Sequence, residues 1–269
     1  MLPPRMKVGI ITGTGTYVLP GLEGGSREPV ATRFGEALVM QGRVGEVDVL
    51  HISRHGEGHT HLSSQVTHRA NIAALNGLGA DCVLAVTVCG AVDPAVPLGS
   101  LIVFDDLHFL ANRLGDGSLC TFYDEPGDAL RGHWIYEDPF SAEARRVLLG
   151  ACADSGLEAR DGGCYGHVDG PRFNTRAEIR SLAQAGVTAV SQTAGPETVL
   201  CGEAELPYAL LGYATDYANG VQDEPTPVPE LLRLIEASKE SFARVLGAAL
   251  PKLPGRRFAP TGTMYRFEQ

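Results

Sequence analysis

Four histidines fall within eleven residues in HISRHGEGHTH, at positions 51, 55, 59 and 61, with Arg54 among them. An arginine presents a rigid fork of donors to two oxygens of an anion, and His55 beside it adds another. A second anion feature opens the chain. GIITGTGT, residues 9–16, is an apolar run that breaks into glycines and threonines, as a strand does before a turn whose backbone N–H groups face a phosphate. As a dinucleotide fingerprint it fails, because Gly13 and Gly15 are followed by Val18 where a third glycine belongs. The GK[ST] of a Walker loop is absent too. What remains is Thr14 between two glycines, suited to a small free anion, or a plain tight turn.

A third feature is ATDYANG, residues 214–220, where an apolar run ends in Asp216. A carboxylate at the C-terminal end of a parallel strand lies where open α/β sheets place their sites. A turn-capping aspartate is the ordinary alternative.

The elements that must position these groups alternate along the chain. KVGIIT, EALVMQGRV, EVDVLHIS, DCVLAVTVC, SLIVFDDLHFL, VTAVSQT and YALLGYATDY read as strands. SSQVTHRANIAALNGLG, SAEARRVLLGACADSG with Ser141 as N-cap, TRAEIRSLAQAG and VPELLRLIEASKESFARVLGAAL read as helices. Thr175 and Glu178 have the spacing of a capping box. Interleaved strands and helices predict an α/β fold, one domain over 1–269 with a central mixed, mostly parallel twisted sheet covered by helices. Residues 112–132 lack periodicity, and so long a loop in a compact domain is usually functional or interfacial.

Composition narrows the function. The 269 residues are 44% hydrophobic and 20% charged, which is globular. A formal charge of −10 argues against a nucleic-acid groove, and no apolar run is long enough to span a bilayer. Without a targeting pattern at the N-terminus, a cytoplasmic location is expected. The six cysteines form no CxxC pair or cluster with histidine, so buried reduced thiols are expected rather than a metal site.

Taken in order, GIITGTGT, RHGEGHT, AVTVCGAV, GHVDGPRFNTRAE, SQTAGPE and ATDY resemble the purine nucleoside phosphorylases over about residues 7–250, most closely the 5′-methylthioadenosine phosphorylase branch. The resemblance implies a nucleoside phosphorylase-like fold. It also implies that inorganic phosphate attacks C-1′ of a purine nucleoside and expels the base. Phosphate is then a co-substrate and no cofactor is needed. The phosphate site maps onto Thr14, Arg54, His55, Thr87, the backbone of Val88, and Thr193. The base site maps onto Phe173 and Asp216, the catalytic residue. A departing purine needs a proton or a strong hydrogen bond at N-7, and Asp216 could supply it if burial keeps it protonated. Relatives that favour 6-oxopurines typically carry Asn there, so Asp216 points to 6-aminopurines. Val228 and Leu231 match the apolar 5′ side, and His133 matches a residue that reaches the 5′ group from a neighbouring subunit of a homotrimer.

This chain departs from the pattern at two positions that bear on specificity. The adenine-specific branch has a second Asp where this chain has Ala218, so either Asn219 compensates or selectivity for the 6-amino group is relaxed. Gln192 stands where most relatives have Met; its amide could bond a ribose hydroxyl or a polar 5′ group, or face solvent. Asp169, where relatives usually carry Glu or Gln, has no assignable consequence. The readings that remain beside phosphorolysis of a 6-aminopurine nucleoside, 5′-modified or not, are a broad phosphorylase of adenosine and inosine, a hydrolase, and a non-catalytic nucleoside-binding relative. A histidine phosphatase fits less well, because RHG follows an earlier Gly-rich strand and no histidine lies beyond His167.

Overall fold

The computed structural model describes residues 5–14, 21–22 and 25–267. Gly15 and Val18 lie outside them. The elements are β1 (Lys7–Thr12), β2 (Ser26–Thr32), β3 (Gly35–Val44), β4 (Val47–Ser53), α1 (His68–Gly77), β5 (Cys82–Ala91), β6 (Leu101–Val103), β7 (Asp106–His108), β8 (Gly132–Tyr136), α2 (Ala142–Asp154), β9 (Ala159–Asp161), β10 (Cys164–His167), α3 (Arg176–Gln184), β11 (Val187–Ser191), α4 (Ala194–Glu203), β12 (Tyr208–Tyr217), α5 (Val228–Ala249) and β13 (Gly262–Arg266).

The main sheet is mixed and mostly parallel. Strands β4, β1, β5 and β12 lie side by side and parallel, and β7, β10 and β11 form a second parallel group. The hairpin β2–β3 extends the β4 edge in antiparallel fashion. The expected α/β architecture is observed. Helices cover both faces: α1 and α4 pack on one core cluster, α2 and α5 on the other. Their apolar stripes do this work; in α5, Leu234, Phe242, Val245, Leu246 and Ala249 all point inward.

β5 creates the opening that matters. Near its start its edge pairs with β1, from Val8 opposite Cys82 to Ile11 opposite Ala85. Near its end the same edge pairs with β11, at Gly90 and Ala91, and now antiparallel. Between these pairings, around Val88, the edge has no neighbouring strand among the described residues. Alternation along the strand sends the Val88 backbone groups to the same side as those of Val86 and Gly90, into the gap. A change of strand partner of this kind is where α/β sheets leave room for ligands.

Several expectations of local structure hold in detail. Ser141 caps α2 by accepting from the Ala144 N–H, and Thr175 with Glu178 forms the capping box of α3. SLIVFDDLHFL is two short strands rather than one, because β6 pairs with β12 and β9 while β7 pairs with β10. The stretch 112–131 has no helix or strand, only an isolated bridge between Arg113 and Leu119. It is strapped down by side chains: Arg33 donates to the Phe122 carbonyl at 2.5 Å, and Arg69 pairs with Asp124.

Candidate active site

A cavity of about 310 Å³ opens at the gap beside β5, at the low end of the range for small-molecule pockets. Its wall brings together Thr14, Arg54, His55, Thr87, Val88 and Thr193, and also Phe173, Gln192, Asp216, Ala218, Asn219 and Leu231. The three sequence features, the outermost about 200 residues apart, thus meet in one place.

At one end stand groups suited to an anion. Arg54, just past β4, is 4% exposed. Gly13 lets it pass, since a Cβ there would lie 2.5 Å from Arg54 Nη1. The fork suggested for the anion is turned inward instead. Arg54 Nε and Nη2 donate to the two carboxylate oxygens of Glu197 at 2.6 and 2.9 Å, and Nη1 donates to the Val86 carbonyl at 2.7 Å. Of five guanidinium N–H groups, one on each Nη has no acceptor among the described residues. Glu197, on α4, is 1% exposed and also accepts from the Tyr208 hydroxyl at 2.8 Å. A buried pair whose charges meet in a two-point contact, with further hydrogen bonds from Val86 and Tyr208, is the arrangement in which such a pair is tolerated.

His55 is held equally firmly. Its Nδ1 lies 2.9 Å from the His61 carbonyl, which can only accept, so the proton sits on Nδ1. In the neutral ring Nε2 is therefore an acceptor. Burial, aided by the Arg54 charge, lowers the His55 pKa to about 4, so the ring is neutral near pH 7. His59 stacks on it with ring centroids 4.3 Å apart. Thr87 and Ser191 share a hydroxyl–hydroxyl bond of 3.1 Å, and Thr193 opens α4 without using its hydroxyl to cap the helix. A helix N-terminus facing the cavity adds partial positive charge there.

At the other end a bulge in β12 aims the acid. The register of β12 against β5 shifts between Ala214 and Asp216, so that Asp216 stands opposite Gly90. Gly90 makes the room: a Cβ there would lie 3.1 Å from Asp216 Oδ2. The Thr215 hydroxyl donates to Asp216 Oδ1 at 2.8 Å. Burial pushes the Asp216 carboxyl above its usual range, and the Thr215 bond opposes this with a smaller effect. Asn219 Nδ2 donates to the Asn174 carbonyl at 2.7 Å, which leaves Oδ1 as its acceptor. Ala218 is 7% exposed and carries no polar group to this wall.

Two expected residues lie elsewhere. Val228, the first residue of α5, is exposed and outside the cavity wall, whereas Ile235, one turn beyond Leu231, is part of it. His133 is an exposed residue of β8, away from this chain's own cavity. Glu197, Ser191, Ser63, Cys89, Ile179 and Ile235 were not anticipated. Only Glu197 left a signal, an acid inside the otherwise uncharged AGPETVLCG.

The sequence profile described as "Phosphorylase superfamily" matches residues 7–251. The chain belongs to that superfamily. It is 32% identical over 256 residues to the 6-oxopurine nucleoside phosphorylase of Pyrococcus furiosus, covering 93% of this chain and 94% of that one. It is 33% identical over 254 residues to the S-methyl-5′-thioadenosine phosphorylase of the same organism, with 93% and 94% covered. Among solved structures, methylthioadenosine phosphorylase from Schistosoma mansoni in complex with adenine superposes with a TM-score of 0.83 at 28% identity, over 94% of this chain and 93% of that one. The chain is accordingly an enzyme of the nucleoside phosphorylase class, a pentosyltransferase.

Proposed function

We propose that the protein cleaves 6-aminopurine nucleosides, including those with an apolar 5′ substituent, by phosphorolysis. The supporting observation is one cavity with anion-binding groups at one end and a buried carboxyl of raised pKa at the other. Phosphate rests against the remaining Arg54 N–H groups, the Thr14, Thr87 and Thr193 hydroxyls and the Val88 backbone. One of its oxygens attacks C-1′ as the bond to the base nitrogen breaks. Asp216, protonated, gives its proton to purine N-7, so the base leaves neutral and Asp216 is left as a carboxylate. Holding the nucleophile in place supplies much of the rate, and the proton at N-7 removes charge from the leaving group.

Two acceptors favour the 6-amino group over a 6-oxo group: Asp216 Oδ1 and Asn219 Oδ1. The latter is free to accept because Nδ2 is committed to Asn174. Leu231 and Ile235 offer an apolar wall suited to a methylthio group. His133 would reach the 5′ group of a neighbour in a homotrimer, a reading supported by its exposure, by Ile135 and Tyr265, exposed on the same β8–β13 ribbon, and by exposed Phe267 just beyond it. Ala218 favours a second reading, a broader phosphorylase that also takes inosine. Base release from methylthioadenosine, adenosine and inosine, each with and without phosphate, tests both. Release that ignores phosphate overturns phosphorolysis; inosine cleaved as fast as adenosine overturns the 6-amino preference.

A further inference from the structure

Phe173 borders the cavity yet is 61% exposed, so packing does not fix its position. The backbone on either side of it is held instead. Gln192 Nε2 donates to the carbonyl of Arg172 at 3.1 Å, and Asn219 Nδ2 donates to the carbonyl of Asn174 at 2.7 Å. A carbonyl only accepts, so both amide orientations follow from their partners. The other end of Gln192 is engaged as well: the Ser63 hydroxyl donates to its Oε1 at 2.9 Å. Although the residue borders the cavity, the amide is thus bonded within the protein at both ends. Gly170 closes over it, since a Cβ at 170 would collide with both Gln192 Oε1 and Ser63 Oγ.

We infer that Gln192 is a positioning residue, which ties the 168–175 loop to the turn at Ser63 and, with Asn219, clamps the peptide on both sides of Phe173 so that its ring stays over the purine. The functional meaning of Phe173 rests on the phosphorolysis reading; the clamp does not. Without Gln192 the loop samples open positions, and a nucleoside must bind the closed fraction alone, which raises its apparent dissociation constant in proportion. Phosphate, held by the buried end of the cavity, is unaffected.

Gln192→Met and Gln192→Ala break the clamp at its centre. Amides of residues 168–175 in either variant are expected to exchange with deuterium at least several-fold faster than in the parent protein, while those of β5 keep their rate. Two neutral hydrogen bonds are involved, so the nucleoside KM rises about tenfold for adenosine and methylthioadenosine alike, with kcat within about threefold and phosphate KM within about twofold. Gly170→Ala has the same effect in the parent and a smaller one on top of Gln192→Ala, where the collision with the amide is gone. Unchanged exchange in the loop overturns the clamp, whether or not the parent protein cleaves any nucleoside. So does an altered ratio of 5′-hydroxyl to 5′-methylthio substrates with unchanged exchange, which would mean that Gln192 reads the substrate directly.

Discussion

The two ends of the cavity are built on different principles. At the anion end Arg54, His55, Thr87 and Thr193 are each between 4 and 5% exposed, and hydrogen bonds to Glu197, Val86 and His61 hold the Arg54 and His55 side chains. At the end proposed for the nucleoside Phe173 is 61% exposed, and hydrogen bonds from two amides hold the carbonyls of its neighbours Arg172 and Asn174. A small invariant ion can be met by a site that never moves. A bulky nucleoside must enter and its base must leave, so the wall over it is held by bonds that can open. Rigidity is concentrated where the nucleophile must be aligned.

The most severe way to break the anion end is to remove Glu197. Glu197→Ala leaves the Arg54 guanidinium buried without its counter-charge, which costs about 3–5 kcal/mol. Chemical denaturation should show that loss, and the phosphate KM should rise with it as Arg54 leaves its place. The same truncation at the open end, Phe173→Ala, removes a side chain that is mostly in water and should change stability by less than about 0.5 kcal/mol. Equal losses at the two positions would contradict the contrast.

Asp216 comes next. Asp216→Asn keeps the shape but cannot pass a proton to N-7, so kcat should fall by roughly 10²-fold or more for 6-aminopurine nucleosides. The preference should move toward 6-oxopurines, and competition between adenosine and inosine measures it. The variant should also gain stability near neutral pH. A carboxyl whose folded pKa lies above its unfolded value opposes folding once pH exceeds the unfolded value, and Asn has no such titration.

The histidines around the anion end set an acid limit. Burial lowers His51 and His55 to about 4 and His68 to about 3. Their folded values lie below the unfolded value near 6.5, so the unfolded chain binds more protons in between. The stability they contribute is complete above about pH 6.5 and lost as pH falls toward these values. Melting temperature should therefore decline steadily below pH 6.5. In His68→Asn the slope of stability against pH should be shallower by up to about 1.4 kcal/mol per pH unit. An unchanged slope would show that His68 is already charged in the folded protein.

How far this was legible in the sequence follows the same division. Strands β1 and β12 stand where the apolar runs KVGIIT and YALLGYATDY placed them, and local caps at Ser141 and Thr175 formed as spaced. Helix α4 gave no signal because it is buried on nearly all sides, so no apolar stripe distinguishes it. Strands β9 and β10 are three and four residues long and owe their existence to neighbours far away in sequence. The residues of the site were largely visible as types, but not the direction of their bonds. Nothing in RHGEGHT says that the arginine fork grips Glu197, 143 residues later. Nor does SQTAGPE say that both ends of the Gln192 amide are already taken. Those facts are tertiary, set when β4, β5 and α4 pack.

The bond directions have a consequence for phosphate itself. Arg54 is neutralised by Glu197, and neutral His55, whose Nδ1 is bonded to the His61 carbonyl, has an acceptor in Nε2. An acceptor facing an anion is favourable only if a proton lies between them. Either the phosphate arrives carrying it, or His55 gains it on binding. Only the second route takes up a proton from solution, because the hydrogen phosphate dianion already carries one; on that route affinity falls as pH rises, and on the first it does not. If His55 supplies the proton, the phosphate KM should increase a few-fold between about pH 6.5 and pH 8, while the nucleoside KM changes little. Replacing His55 with Gln supplies an N–H donor that needs no proton and should flatten the dependence. A phosphate KM independent of pH in the parent protein would mean that His55 stays neutral on binding and that any proton shared with Nε2 is brought by the phosphate itself.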